Sequence, residues 1–191
     1  DAIGGVVLLI PENFKKTDTL KGSVNLSGIS NGRGMGVDLN LVKTWENGWG
    51  VKTNGGFKKL GDLETPDNLL MNTGMNFSSF GFTVQNKSFL QGISADYSMT
   101  DQEIGIFRGS HIGNLEDFYT VLNSDMPIYT SDFSYSIDNP NQQIQHHLAK
   151  ISAYKRFKDL GKCSVDYSFQ YNHRKEYDLR RGELSEIPSL D

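Results

Sequence analysis

The amino-acid sequence predicts an all-β chain, an antiparallel meander of about seven long strands. Three observations predict it. Apolar and polar residues alternate with period two over long stretches, as they do where successive side chains point to opposite faces of a sheet. Most of these stretches run to about ten residues or more, whereas strands of soluble domains cluster near about five or six. The connections alternate between short turns and long loops, the pattern of barrels that cross an outer membrane.

The elements follow in order. Ile3 to Ile10 is an aliphatic run behind paired glycines; it reads as a buried strand that Pro11 ends, with a polar linker over Glu12 to Asp18. Leu20 to Ser30 alternates Val24 and Leu26 with Ser23, Asn25 and Ser27. Asn31 to Gly34 reads as a tight turn, because Asn and Gly tolerate positive φ. Met35, Val37, Leu39 and Leu41 then share a face, and Glu46-Asn47-Gly48 carries the Asn-Gly hairpin signal before Trp49, Val51 and Phe57. Lys59 to Asn72 reads as a longer loop. Gly74 to Val84 is the next strand, and its apolar parity switches between Phe77 and Phe80, which predicts a bulge. Asn86-Lys87-Ser88 is a turn, and Ile93, Ala95, Tyr97 and Met99 continue the alternation. Asp101 to Gln142 lacks period two and reads as a long irregular loop, with one short helix capped by Asn114. Strands resume at Gln143 to Phe157, turn at Asp159 to Gly161, and end with Lys162 to Arg180.

Composition limits the function classes. Hydrophobic residues are 37% and charged residues 22% of the 191, and no apolar run nears the ~18 needed for a membrane helix. That leaves a β-barrel open, because its strands are apolar on one face only. A net charge of −4 with scattered basic residues predicts no nucleic-acid partner. Cys163 is the single cysteine, placed by this reading on a polar face near a turn, so no intrachain disulfide is possible and no CxxC or zinc pattern exists. No cofactor and no metal are predicted. Asp1 and Asp191 read as cut ends, which predicts an internal piece of a longer protein.

The most informative stretch is Cys163 to Arg181. Val165, Tyr167, Phe169 and Tyr171 share one face; Asp166, Ser168, Gln170, Asn172, Arg174, Glu176, Asp178 and Arg180 share the other. A dry core rejects such a polar face, since buried charges need partners. Hydrocarbon on one side and a wet lumen on the other suits both faces, and so does a soluble sheet with one solvated face. Glu176 and Asp178 have the residue type of a glycosidase pair, but Arg174 and Arg180 flank them, which favours a salt-bridge ladder. His146 and His147 are adjacent, so they point to opposite faces and cannot share a metal. His111 and Arg108 lie in the long loop, where ligand contact competes with plain solvation. Trp45 and Trp49 flank a turn, as an interfacial aromatic girdle or as hairpin packing.

Gln170-x-Asn172-x-Arg174-x-Glu176-x-Asp178-x-Arg180-Arg181 resembles a motif on an early barrel strand of TonB-dependent receptors, especially the branch similar to ferric-citrate receptors. Residues Gln142 to Lys150 resemble the preceding strand of that family. Glu103 to Phe107 and His111 to Asp117 resemble its long extracellular loop, and Asp1 to Val7 is similar to the end of its plug domain. The matches keep the family's order over nearly the whole chain.

The resemblance implies the end of a plug and its linker over residues 1–18 and the N-terminal part of a barrel over 19–191. The whole would be a transmembrane β-barrel of about 22 strands. It implies transport and not catalysis: uptake of a scarce nutrient across the outer membrane of a Gram-negative bacterium, energised by TonB through a missing N-terminal part. An iron chelate, siderophore or ferric citrate leads the cargo classes, ahead of haem, cobalamin or a glycan. For an anionic cargo the ligand-binding candidates are Arg108, His111, Arg174, Arg180 and Arg181, since guanidinium forks suit carboxylates. Outer-membrane lipid is the other expected partner, and an isolated fragment would expose strand edges that recruit another chain. The competing readings are a soluble β-sandwich that binds carbohydrate, with a dry core between two sheets, and a hydrolase using the last-strand carboxylates.

Overall fold

Period-two patterning and tight turns produce consecutive antiparallel hairpins, and that is the architecture of the computed structural model, which describes residues 14–107, 109, 115–124 and 131–178. The strands are β1 (Thr19–Ile29), β2 (Gly34–Thr44), β3 (Trp49–Leu60), β4 (Leu63–Glu64), β5 (Leu69–Leu70), β6 (Met75–Lys87), β7 (Gln91–Gly105), β8 (Asn141–Phe157) and β9 (Gly161–Tyr177), with one helix, α1 (Leu115–Leu122). Seven of them form one antiparallel sheet in meander order, β1-β2-β3-β6-β7-β8-β9. β4 and β5 make a separate ribbon inside the β3–β6 connection. Among the described residues there is no second sheet large enough to face the first.

Short turns fall at one end of the sheet, here the turn end. Gly48 N–H donates to Trp45 C=O at 3.0 Å, with Gly48 at φ 87°, a conformation that favours glycine. The β6–β7 turn is Ser88 to Leu90, two residues later than the Asn86-Lys87-Ser88 expected, because Asn86 and Lys87 still pair with Ile93 and Gly92. The opposite, loop end carries the Ser30–Arg33 turn, the β3–β6 connection and the long β7–β8 connection.

The register sorts side chains onto two faces. One, the apolar face, carries Leu20, Val24 and Leu26 on β1; Met35 to Leu41 at odd positions on β2; Val51 and Phe57 on β3; Phe80, Phe82 and Val84 on β6; Tyr97 and Met99 on β7; Ile151 on β8; and Val165 to Tyr171 at odd positions on β9. The other, the polar face, carries groups such as Ser23, Asn40, Asn54, Ser98 and Gln170 in one cross-strand row.

Several expectations are corrected. Pairing of β6 with both neighbours runs without a skipped residue, so there is no bulge; Phe77 simply stands on the polar face. β7 continues through Asp101 to Gly105 in full register with β8, so the irregular connection begins later than expected. The alternation looked broken there because Asp101 and Glu103 are polar at apolar-face positions. Cys163 shares its parity with Val165 and stands opposite Lys155 on the apolar face, not the polar one. Residues 1–13, including the expected first strand, and Asn114, the expected helix cap, lie outside the described residues.

Burial is inverted relative to a soluble domain. No hydrophobic side chain is buried among the described residues, while Thr44, Asp62, Asn72, Gln85, Ser94 and Asn141 are. The apolar stripe also crosses the hydrogen-bonded rows obliquely. Leu26, Val37 and Phe57 form an apolar row whose continuation on β6 to β9 is Ser78, Asp101, Gln145 and His173. A stripe that slants against the rows belongs to strands tilted from the stripe's normal.

Candidate functional site

The polar face is the surface with chemistry to offer. Its middle rows are small or amide side chains, and its ends differ. At the loop end, Arg174 and Glu176 alternate on β9 and form an ion pair within the strand. Glu176 Oε1 also accepts a hydrogen bond from Gln142 Nε2 on β8 at 2.8 Å. Gln170 stands opposite Leu148 and Asn172 opposite His146, while Asp178 follows the strand's last residue. Among the described residues the expected charge ladder includes this intrastrand pair with its amide brace. Lower on the same face, Lys150 Nζ lies 3.5 Å from Asp166, which also accepts from Ser152 Oγ at 2.6 Å. Arg108, His111, Arg180 and Arg181 lie outside the described residues.

His146 and His147 do point to opposite faces. His147 Nδ1 is 2.8 Å from the Tyr97 hydroxyl on the apolar face, and His146 stands between Thr100 and Asn172 on the polar one. Among the described residues no group of three or more His, Cys, Asp or Glu is placed to hold a metal.

At the turn end the polar face holds a cavity of about 450 Å³, lined among others by Lys15, Lys21, Lys52, Lys87 and Asp96. Sequence reasoning missed this basic cluster, since its lysines are far apart in the chain. Alternation assigns each to the polar face, but only the register brings Lys21 and Lys52 into one row, with Val42 between them. Asp96 accepts from Thr83 Oγ1 at 2.8 Å. Residues 14–18 cross this end of the face: the Phe14 ring lies where a Cβ on Gly50 would stand, and Thr44 Oγ1 donates to Thr17 C=O at 2.6 Å. Glycine at position 50 is what admits the ring. β1 therefore begins from the polar side of the sheet.

The loop end reverses the polarity of the sheet. There Leu60, Met75 and Ile104 form a row on the otherwise polar face, next to Phe77 and Ile144, all half-buried. Residues 131–140 return beside this row, against the glycines next to Leu60 and Met75. Phe133 reaches the Gly61 backbone and Ile137 the Gly74 backbone. Two buried polar side chains tie this return in place. Asp62, only 1% exposed, accepts from Thr73 N–H at 3.2 Å and Ser134 N–H at 3.0 Å. Asn72 donates to the Ile106 and Pro140 carbonyls, each at 2.9 Å, and accepts from Asp138 N–H at 2.8 Å. On the opposite face, at the same level, Asp101, Glu103, Gln143, Gln145 and Lys175 replace the apolar stripe.

Aromatic residues mark both borders of that stripe. Phe80, Tyr97, His147 and Tyr171 follow one another near its upper edge, with centroid spacings of 6.5, 6.2 and 5.9 Å. Trp45, Trp49 and Phe157 stand near the turn end, each between 37% and 43% exposed. His147 and Phe157 are about ten residues apart on β8, or ~33 Å along a strand at ~3.3 Å per residue.

No protein-family model, no curated protein and no solved structure matches the chain.

Proposed function

We propose that this chain is the end of the plug and the first barrel strands of a TonB-dependent outer-membrane receptor, which takes up an iron chelate such as a siderophore or ferric citrate. One observation carries the reading. Along the same strands, the sheet is apolar outside and polar inside through its middle, then polar outside and apolar inside at its loop end. On β7, Ile93 to Met99 and Asp101 with Glu103 occupy one face in succession. An antiparallel sheet of a soluble domain commonly has one face on the core and one solvated. A sheet that leaves hydrocarbon for water changes this arrangement at the border, where aromatic side chains gather.

Strand lengths of 11 to 17 residues for the long strands fit a tilted span plus an extension into water. The path of residues 14–18 along the polar face fits a chain that reaches β1 from inside a barrel. The resemblance of residues 170–181 to the family motif supplies the narrower assignment. On this reading the polar face is the lumen wall. Arg174 at one end and the lysines of the turn-end cavity at the other are its cationic stations for an anionic chelate, with Arg108, His111, Arg180 and Arg181 as further candidates. The chemistry is binding and passage, with no bond made or broken.

The test uses the full-length protein in its bacterium. Deleting its gene is expected to abolish growth on at least one ferric chelate of a panel, and deleting TonB is expected to do the same. The protein should fractionate with the outer membrane and migrate differently on gels before and after boiling. Recovery as a soluble periplasmic protein, or growth on every chelate without it, would overturn the assignment.

A further inference from the structure

The cations on the polar face of the turn end fall into two sets. On β8 and β9 each has a partner within the fold. Lys150 Nζ lies 3.5 Å from Asp166, the Arg156 guanidinium stands 4.7 Å from the centre of the Phe89 ring, and Lys162 Nζ is 4.7 Å from that of Tyr154. The other set, Lys15, Lys21, Lys52 and Lys87, lines the cavity of about 450 Å³. Among the described residues none of these four has an ion pair or an aromatic ring against its ammonium. The lining offers them one carboxylate, Asp96, which already accepts from Thr83 Oγ1 at 2.8 Å.

The four lysines come from separate pieces of chain. Lys21 and Lys52 share a cross-strand row with Val42 between them, which sets their backbones about 9.6 Å apart. Lys87 stands on β6, on the turn side of Thr83, the residue opposite Lys52. Lys15 arrives with the crossing segment, which the Phe14 ring at Gly50 and the Thr44 bond to Thr17 C=O hold against the sheet. Like charges gathered around one cavity repel, and a bound anion relieves that repulsion. A monovalent anion relieves it only in part. A ligand with several anionic groups answers several ammonium groups at once, each through a charge-assisted hydrogen bond. The volume is that of a small-molecule site. Lysine puts its charge on a flexible stem without a rigid fork, so it holds such a ligand without dictating its shape.

We propose that the turn-end cavity binds a small polyvalent anion, one carrying two or more carboxylate or phosphate groups, through Lys21, Lys52, Lys87 and Lys15. As a station for anionic cargo the cavity deepens the receptor reading and rests on it; as an anion site it stands apart from that reading.

The experiment is isothermal titration calorimetry of the full-length protein in detergent, with metal-free citrate in one arm, inorganic pyrophosphate in another and acetate as the monovalent control. The wild type is expected to bind at least one polyvalent anion about tenfold more tightly than acetate. Binding of citrate alone assigns the site to carboxylates, of pyrophosphate alone to phosphates, and of both to charge. Lys21→Gln with Lys52→Gln weakens binding about tenfold, and Lys21→Arg with Lys52→Arg restores it to within about threefold. Asp96→Asn, which keeps an acceptor for Thr83, tightens binding about threefold. Arg156→Gln, on a cation already engaged, leaves it within about twofold. Circular dichroism verifies the strand content of each variant. A wild type that binds no polyvalent anion, as when an acidic segment of the same protein fills the cavity, overturns the site. So does a lysine pair whose loss changes nothing, or an Arg156 variant that weakens binding as much. Growth on every chelate without the gene, with anion binding intact, refutes the receptor reading and keeps the site. Loss of growth on a chelate, with no anion bound at the cavity, refutes this inference alone.

Discussion

The middle of the sheet and its loop end are built from the same strands on opposite plans. Through the middle, a single layer presents Phe82, Tyr97 and Phe169 on one side and Gly81, Ser98 and Gln170 on the other, with no hydrophobic side chain buried. At the loop end, residues 131–140 pass over Gly61 and Gly74, beside Leu60 and Met75, and Asp62 and Asn72 are buried there with their polar atoms bonded. The difference teaches where each part finds its stability. The middle is held by its ladder and by whatever covers its apolar face, since exposed apolar surface of this extent is unfavourable in water. The loop end carries a covering of its own, with Phe133 against Gly61 and Ile137 against Gly74.

The largest effect should come from charging the middle. Phe82 occupies the central row of the apolar stripe, so on the proposed reading Phe82→Arg should cost about 2–4 kcal/mol in a bilayer, while Thr83→Arg on the polar face, beside Asp96, should stay within about 1 kcal/mol. Urea unfolding of the full-length protein in lipid vesicles, followed by tryptophan fluorescence, measures both; equal costs would break the contrast between the faces. Next comes the loop end. Asp62→Ala leaves the Thr73 and Ser134 N–H groups without their acceptor, for a local loss of about 2–3 kcal/mol. Hydrogen exchange should quicken over residues 131–138 and leave the β7–β8 ladder unchanged. The smallest effect belongs to Arg174→Gln. Its ion pair with Glu176 is roughly half exposed, so stability should change by under about 1 kcal/mol, while affinity for an anionic chelate weakens by about threefold.

Much of this was legible in residue order. The parity of Val165 to Tyr171 against Asp166 to Glu176 assigns both faces of β9 without coordinates, and Asn47-Gly48 announces its hairpin. The readings failed where the surroundings change along a strand. Alternation identifies a strand only while one side stays apolar, so Asp101 and Glu103 looked like loop and Phe77 looked like a bulge. Both are ordinary strand positions beyond the end of the apolar stripe. Asp62 and Asn72 gave no signal, because an Asp or Asn in a loop has the same appearance whether it faces water or closes a buried network. The turn-end lysines were invisible as a group, since only strand register joins Lys21 to Lys52.

On the proposed reading that the sheet closes on itself, the slant of the apolar stripe bears on the size of the cylinder. Neighbouring ribbons must each climb a little past the last for the greasy belt to stay level, so a wall made of them comes full circle displaced by the sum of those steps. The more ribbons it takes to absorb that displacement, the wider the cylinder, and a wide cylinder is one that has to be stoppered.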